Sequence, residues 1–491
     1  MMVLTELPEC CLGCAACEAV CPAVAADGDF AGPKVLGPGL WRKLGGGWPG
    51  EPPLGPAEAL SLGADLCLQC HRCDQACPTG VPVSRLTRRA KVLARSASNG
   101  RGRAFVDRLL ADQERVGRLV AGSTWARRLL RLFSAGPARR LEASALAALG
   151  LSPSRAWPEP AGPGFRARLS GILTQSSAAR ALPPVILYAG CHARFYEPAP
   201  ALAAVKVLQR IGYRVVLPDQ VCCGAPALGA GFEGQAAEAL AQSARLLDQA
   251  MRRFGGEVPI VSQCPSCTFN LREVMPELCS DAAARGLSRR VWDLGEFLAG
   301  PGLTGLRRAS GKSVSETQPA PVSGAQPASL SGTATVANGW AYHAPCHLNA
   351  LGVGRPFPGL LKLTGLGPPV ETGPEIDGCC GMGGLSGLTR SGYARSLAAG
   401  ARVLEHCAAL ARETGRTEET GRGEGRHSRD GRSGRSGRGP RTDRSGRDDP
   451  APVVLSDCPL CRWQIGELTH LRTAHPVELL SRALDDVDSS R

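Results

Sequence analysis

The sequence predicts a multidomain chain of α+β and α/β class: an α-helical front domain, a basic helical connector, then two tandem α/β cysteine-rich domains. Length is the first reason, since 491 residues suffice for about three domains. The second is that the 21 cysteines gather in spaced groups. The third is that one pattern of short apolar runs, helical stretches and cysteines occurs twice after Pro183.

Composition sets the outer bounds. With 43% apolar and 21% charged residues, most of the chain can bury ordinary cores. Aromatics are only 4%, and 61 Gly with 39 Pro imply many turns and some unfolded stretches, which excludes a uniform helical bundle. The longest apolar runs, such as Val185 to Gly190, fall far short of the roughly 18 residues that cross a bilayer. Met1 to Cys11 has no basic stretch leading into an apolar one, so no secretory signal is read and a cytoplasmic location is expected. Disulfides are rare in that reducing compartment, so this many thiols point to metal.

The net charge of +13 is local. Fifteen Lys/Arg stand against three acidic residues between Arg85 and Arg140, and eleven Arg against eight acidic residues between Arg412 and Asp449. The rest is near neutral, so nucleic acid is not the expected partner. The Arg412–Asp449 tract has no aliphatic or aromatic residue. It has nothing to bury against chain entropy and reads as disordered. Its Arg-Gly-Ser composition is shared with RNA-binding tails, but balanced charge and the lack of aromatics argue against that role. Gly302 to Gly339, rich in Ser, Pro, Thr and Ala, reads as an interdomain linker.

The front domain, residues 1–95, holds two motifs of one spacing. Cys11, Cys14 and Cys17 are followed by Cys21-Pro22; Cys67, Cys70 and Cys73 are followed by Cys77-Pro78. Three close thiolates wrap three irons of a cubane, and in two-cluster ferredoxins the fourth cysteine serves the other cluster. The reading is therefore a two-cluster ferredoxin-like α-helical domain. Cys11, Cys14, Cys17 and Cys77 hold one 4Fe–4S cubane, and Cys67, Cys70, Cys73 and Cys21 the other. Rival readings are weaker. Cys67-Leu68-Gln69-Cys70-His71 matches a c-type haem attachment site, but lies wholly inside the second motif. Zinc knuckles use paired cysteines, whereas these are triplets with a trailing Cys-Pro.

Residues 96–183 form the connector. From Arg103 to Gly136 apolar residues recur at helical intervals, among them Phe105, Leu109, Leu110, Val116, Leu129 and Phe133, with Arg between them. Such a helix can lie on an anionic membrane, each near-surface Arg contributing about 1 kcal/mol. It can equally dock on its own domains or on a partner protein.

The first cysteine-rich domain, 184–300, runs through a strand at Val185–Tyr188, Cys191, a helix at Ala199–Ile211, a strand at Arg214–Leu217, and Cys222-Cys223-Gly224. A helix at Gln235–Arg253, a strand at Pro259–Ser262 and Cys264-Pro-Ser-Cys267 at a helix start complete it. After the disordered linker, 301–338, the second copy occupies 339–485. Its counterparts are Trp340–His343, Cys346, Cys379-Cys380-Gly381, a helix at Tyr393–Leu410, Val453–Ser456 and Cys458-Pro-Leu-Cys461. Cys191 to Cys222 is 31 positions and Cys346 to Cys379 is 33. Cys223 to Cys264 is 41 but Cys380 to Cys458 is 78, an excess of 37 that nearly equals the 38-residue tract 412–449. That tract is an insertion in a loop of the second copy. Five thiols per copy exceed what one zinc takes. A thioredoxin-like dithiol would explain C-x-x-C at a helix start but not the vicinal pair. Cys10 is left free, and Cys279 and Cys407 read as ordinary buried cysteines.

Taken together, these motifs resemble the family of the C subunit of anaerobic glycerol-3-phosphate dehydrogenase. That family lies within a wider group that includes the glycolate oxidase iron–sulfur subunit and the B and D subunits of heterodisulfide reductase. Gly32-Pro33-Lys34, Tyr342-His343-x-Pro345-Cys346-His347, Asp457-Cys458-x-x-Cys461-x-Trp463-Gln464-Ile465 and His475-Pro476 favour the glycerol-3-phosphate dehydrogenase family. The resemblance implies an electron-transfer subunit that takes electrons from flavoprotein dehydrogenase subunits towards membrane quinone, peripheral on the inner face of the cell membrane. It implies one or two further iron–sulfur clusters, noncubane 4Fe–4S in the heterodisulfide reductase manner. Cys191, Cys222, Cys223, Cys264 and Cys267 would hold one; Cys346, Cys379, Cys380, Cys458 and Cys461 would hold the other. Alternatives are the iron–sulfur subunit of a glycolate or lactate oxidase, a thiol/disulfide reductase, and a zinc-stabilised binding protein without redox role. Gly229-Ala-Gly231-Phe-Glu-Gly234 matches a dinucleotide fingerprint, but no strand runs into it and no acidic residue stands near twenty positions on. No flavin or nicotinamide site is expected, so no catalytic residue is assigned.

Overall fold

A computed structural model describes residues 10–41, 55–97, 101–122, short pieces between 147 and 173, 181–279, 281–310, 339–366, 376–413 and 452–489. The expected linker from 311 on, the insertion from 414 on, and Leu129, Leu130 and Phe133 lie outside the described residues.

The front domain is built on the helix Val83–Ala97, whose buried Val83, Leu86, Ala90 and Ala94 recur at helical spacing. Ala90 and Ala94 close a core with Phe30, Leu36, Leu40 and Ala59, the last from helix Pro56–Ser61.

The first cysteine-rich domain is a four-stranded parallel sheet of order β2-β1-β3-β4. Its strands are β1 Pro184–Leu187, β2 Arg214–Val216, β3 Ile260–Ser262 and β4 Val291–Asp293. Order reverses between β1 and β3, and in open α/β sheets ligands bind at the carboxyl ends of the strands flanking such a reversal. Cys191 follows β1 and Cys264 follows β3. The second domain repeats this with β5 Trp340–Tyr342, β6 Val453–Leu455 and β7 Thr473–Ala474, all parallel, in order β5-β6-β7.

The two copies pack through the same face. Val185 and Leu187 of β1 and Trp340 and Tyr342 of β5 join one shared core, while the alternate residues Ile186 and Ala341 face away into separate cores. Contacts across the junction are reciprocal. Helix Ala199–Arg210 of the first copy packs on Pro476–Ser489 of the second, and Leu294–Ala299 of the first packs on Pro356–Leu363 of the second. This is the self-complementary pattern of a two-fold dimer, made within one chain.

Two expectations are corrected. Residues 301–310 do not begin a disordered linker: Leu303–Ala309 is a helix, with Leu306 buried in the shared core. The basic connector is not one helix over its described part, which docks on its own domains, one of the placements expected for it. It divides into Arg101–Ala111 and Gln113–Gly122. The second piece docks on helix Gly190–Phe195, where Arg194 donates to Glu114 at 2.9 and 3.0 Å. Gly117 makes this approach possible, since a Cβ there would meet the Phe195 ring at 2.2 Å. No helix among the described residues is long and apolar enough to cross a membrane.

Candidate metal centres

Both front motifs fold their loops alike. The residues flanking the middle cysteine are left-handed: Gly13 and Ala15 around Cys14, at φ 69° and 61°, and Gln69 and His71 around Cys70, at 52° and 60°. Non-glycine residues rarely adopt such φ. Left-handed residues within such loops are the backbone pattern of anion-binding concavities, which suits iron–sulfur sites.

Cys21 lies among Cys67, Cys70 and Cys73: beyond burial, the Cys67 charge helps raise Cys21, those of Cys21 and Cys67 help raise Cys70, and all three help raise Cys73. Cys77 packs with Cys11 against Val81, Val83 and Leu86. Cys21 thus sits beside the second motif's triplet, while Cys77 shares its apolar cluster with Cys11 and also with Cys73 of its own motif. Burial, with added charge from neighbouring thiolates, pushes Cys21 up to about 11 and Cys70 to about 12. Cys77 is instead held low. Burial opposes this, but the Thr79 hydroxyl at 3.5 Å and the Val81 amide at 3.3 Å outweigh it. Lys91, buried, donates to the Cys67 carbonyl at 2.5 Å. The ring of His71 does not stand free: its Nδ1 lies 2.8 Å from Ser84 Oγ.

In each cysteine-rich copy the C-x-x-C opens a helix. Cys264 caps Pro265–Phe269 and Cys458 caps Pro459–Thr469, with Pro at the first helical position. The second cysteine of each vicinal pair is the centre of its group. Cys223 accepts hydrogen bonds from Cys222 and Cys267, which hold it at about 6. Cys380 is held low by a bond from Cys461, with His343 adding to it. The Cys191 and Cys222 sulfurs are 3.6 Å apart. Cys346 is driven up by burial and then by Cys379, Cys70, Cys380 and Cys458. All five predicted cysteines of each copy therefore come together. Cys279 and Cys407 are buried in separate apolar cores.

Both groups open on one cavity of about 520 Å³, which Cys70 of the front domain also lines. The front domain is docked on both copies: Arg88 donates to Glu233 at 3.1 Å and pairs with Glu277 on the first, and Arg395 of the second pairs with Asp27. Buried thiols that raise one another's pKa keep their protons and carry bare negative charge poorly. A polycation removes the conflict, so the donor set fits iron–sulfur metal.

Asn270 and Arg155 carried no signal in the sequence, and His347 stood there only as part of the string Tyr342–His347. Buried Asn270 donates to the Cys223 carbonyl at 3.0 Å. His347 lies between the domains, with Nδ1 2.8 Å from Ser266 Oγ and its ring beside His71 and Phe269. Arg155 reaches from the connector to the Gly387 carbonyl at 2.9 Å, Gln464 at 2.7 Å and Glu467 at 2.6 Å.

A ferredoxin-type double motif docked on paired α/β cysteine-rich domains defines an iron–sulfur protein. Family comparison agrees: residues 8–81 match a 4Fe-4S dicluster domain and residues 185–272 a cysteine-rich domain. The chain is homologous to the C subunit of the anaerobic glycerol-3-phosphate dehydrogenase of Escherichia coli strain K12, at 25% identity over 301 residues, 61% of this chain and 59% of that protein. It is also similar to lactate utilization protein A of Bacillus cytotoxicus and of Geobacillus kaustophilus, each 28% identical over 41% of this chain and 72% of the relative. The match thus spans under two thirds of the length of the Escherichia coli protein.

Proposed function

We propose that the chain is the iron–sulfur electron-transfer subunit of a dehydrogenase complex, taking electrons from flavoprotein subunits and passing them towards membrane quinone. The observation that carries this is Cys70: it belongs to a ferredoxin motif yet lines the cavity shared by both cysteine-rich groups and acts electrostatically on Cys346 and Cys379. Bound iron–sulfur clusters supply one-electron transfer. Cys11, Cys14, Cys17 and Cys77 would hold one cubane and Cys67, Cys70, Cys73 and Cys21 the second. Cys191, Cys222, Cys223, Cys264 and Cys267, and Cys346, Cys379, Cys380, Cys458 and Cys461, would hold one further cluster each. Burial of Cys222, Cys223 and Cys267, and of Cys379, Cys380, Cys458 and Cys461, keeps water from the cysteine-rich groups, and Arg88 fixes the front domain against the first copy through Glu233 and Glu277.

The donor we propose is a glycerol-3-phosphate dehydrogenase, from the likeness to its C subunit; the likeness to lactate utilization protein A makes lactate oxidation the alternative source. The place of action would be the inner face of the cell membrane. Oxygen-free purification tests the reading. Brown protein with about sixteen irons, four per cluster, that is reduced by a substrate-charged flavoprotein and reoxidised by a quinone analogue is expected. Colourless protein with stoichiometric zinc would overturn it.

A second reading has its own observation. A 520 Å³ cavity faced by both cysteine-rich groups has room for a small disulfide. Reduction of such a disulfide to two thiols by dithionite-reduced protein, two electrons and two protons per bond, would favour a thiol/disulfide reductase.

A further inference from the structure

The two cysteine-rich copies share five thiols but differ at one buried position beside them. Tyr188 and His343 are equivalent: each follows the last residue of its first strand and lies three residues before Cys191 or Cys346. Tyr188 is satisfied by protein oxygen. Its hydroxyl donates to the Val221 carbonyl at 2.7 Å and lies 3.4 Å from Ser243 Oγ.

His343 is satisfied on one side only. The side chain is wholly buried. Its Nδ1 lies 2.9 Å from the Ile376 carbonyl oxygen. A carbonyl only accepts, so the ring proton belongs on Nδ1, and Nε2 of the neutral ring presents a lone pair. Nε2 has no oxygen or nitrogen partner. What the ring faces is sulfur: one ring nitrogen of His343, Cys380 Sγ and Cys461 Sγ all lie within 4.8 Å of one another, and with Nδ1 held by the carbonyl the nitrogen free to ligate is Nε2. An imidazole whose N–H is fixed by a backbone carbonyl, with its bare nitrogen turned to thiols, is oriented as metal-bound histidines are.

We propose that His343 Nε2 is a metal ligand of the second cysteine-rich site, beside Cys380 and Cys461, so that this site is mixed nitrogen and sulfur while the first is all sulfur. This rests on the reading that the second site holds iron–sulfur metal. Where the imidazole takes the iron position of one of the five thiolates, the negative charge around the iron falls, and histidine in place of cysteine raises cluster potentials. The second site therefore has the higher potential of the two. Electrons that reach both sites settle on the second.

The test uses the full chain, loaded without oxygen, in natural and ¹⁵N-histidine-labelled forms. Pulsed EPR of the reduced protein is expected to show a nitrogen coupling of the size found for directly bound imidazole. That coupling should change with the label and be lost in His343→Ala. A redox titration of His343→Cys is expected to move one signal to lower potential, with the front-domain signals unmoved. Fully iron-loaded wild-type protein without a directly bound nitrogen, or a coupling that survives His343→Ala, would overturn the assignment. Because the labelled wild type suffices for the first readout, a poorly folding variant does not block it. Iron and sulfide content report separately on the electron-carrier reading. Should the site carry zinc, that reading fails, and the ligand is read by the same nitrogen coupling after cobalt substitution.

Discussion

Arg462 donates to Glu197 at 2.6 Å, and this pair ties the two cysteine-rich copies together. Arg462 directly follows Cys461, and also donates to the Ser456 carbonyl at 2.7 Å. Glu197 closes the turn after helix Gly190–Phe195, which carries Cys191. A single ion pair thus spans from one thiol group to the other.

Acid should weaken that tie. Burial alone would push the Glu197 carboxyl up, but Arg462 and His192 outweigh it and hold it at about 2. A carboxylate depressed in the folded state stabilises fully above its ordinary value near 4.3, and that contribution is lost as pH falls from there through about 2. Since 35% of the Glu197 side chain meets solvent, screening limits the effect to about 1–2 kcal/mol. Arg462→Ala should lose about that much at pH 7, and Glu197→Gln should flatten the acid limb of the curve. Denaturant unfolding between pH 7 and 2.5 measures both. An unchanged acid limb in Glu197→Gln contradicts the assignment.

Exchanging the fourth cysteines separates the front clusters. Cys21→Ser should disturb the cluster of Cys67, Cys70 and Cys73, because Cys21 sits among those three. Cys77→Ser should disturb that of Cys11, Cys14 and Cys17. Iron should fall by up to about four per chain in each, with a different EPR signal lost. Loss of the same signal in both variants would refute the crossed arrangement.

Gly381 tests how tightly the second vicinal pair is held. Its φ is 88°, and a Cβ would meet the Ser396 carbonyl oxygen at 1.9 Å and the Gly400 nitrogen at 2.7 Å. Gly381→Ala should cost about 3 kcal/mol through left-handed strain and overpacking, and empty the second site. At Gly224 the corresponding contact, to the Ala236 carbonyl oxygen, is 3.0 Å. Gly224→Ala should therefore cost less. Melting curves and iron content of the two variants give the comparison.

Arg155 is a connector residue on which the second site leans. Its side chain is fully buried and bridges the Gly387 carbonyl, Gln464 and Glu467. Arg155→Ala removes the buried guanidinium that serves the Gly387 carbonyl, Gln464 and Glu467 together, at a cost of about 3 kcal/mol. Arg155→Lys should recover part of that, since an ammonium reaches one acceptor but not the planar fork. Equal stability of Arg155→Ala and wild type would remove this role.

What is legible in the chain is whatever lies close along it. C-x-x-C spacing, the Cys-Cys-Gly pairs and strands of three or four apolar residues are local, so both copies and their order can be read from the sequence. The join between copies cannot. Leu187 and Trp340 meet in one core although they stand far apart along the chain, and each reads equally well as facing its own helices. Arg155, 309 positions from Gln464, and Arg462, 265 from Glu197, carry no periodic or motif signal at all. His343 stands in the sequence as one member of the string Tyr342–His347; its meaning depends on a carbonyl 33 positions on. Composition starts the linker too early because Ser, Pro, Thr and Ala dominate the stretch as a whole, while Leu303, Leu306 and Ala309, three residues apart on one helix face, seat its first turns on the shared core.

Pairing two repeats through one common face has an evolutionary corollary. A homodimer with that geometry must write every substitution into both halves at once. Tandem fusion frees each half to mutate by itself while the joint keeps its shape, and the tyrosine-for-histidine difference at 188 and 343 is the kind of divergence that only a fused pair can record.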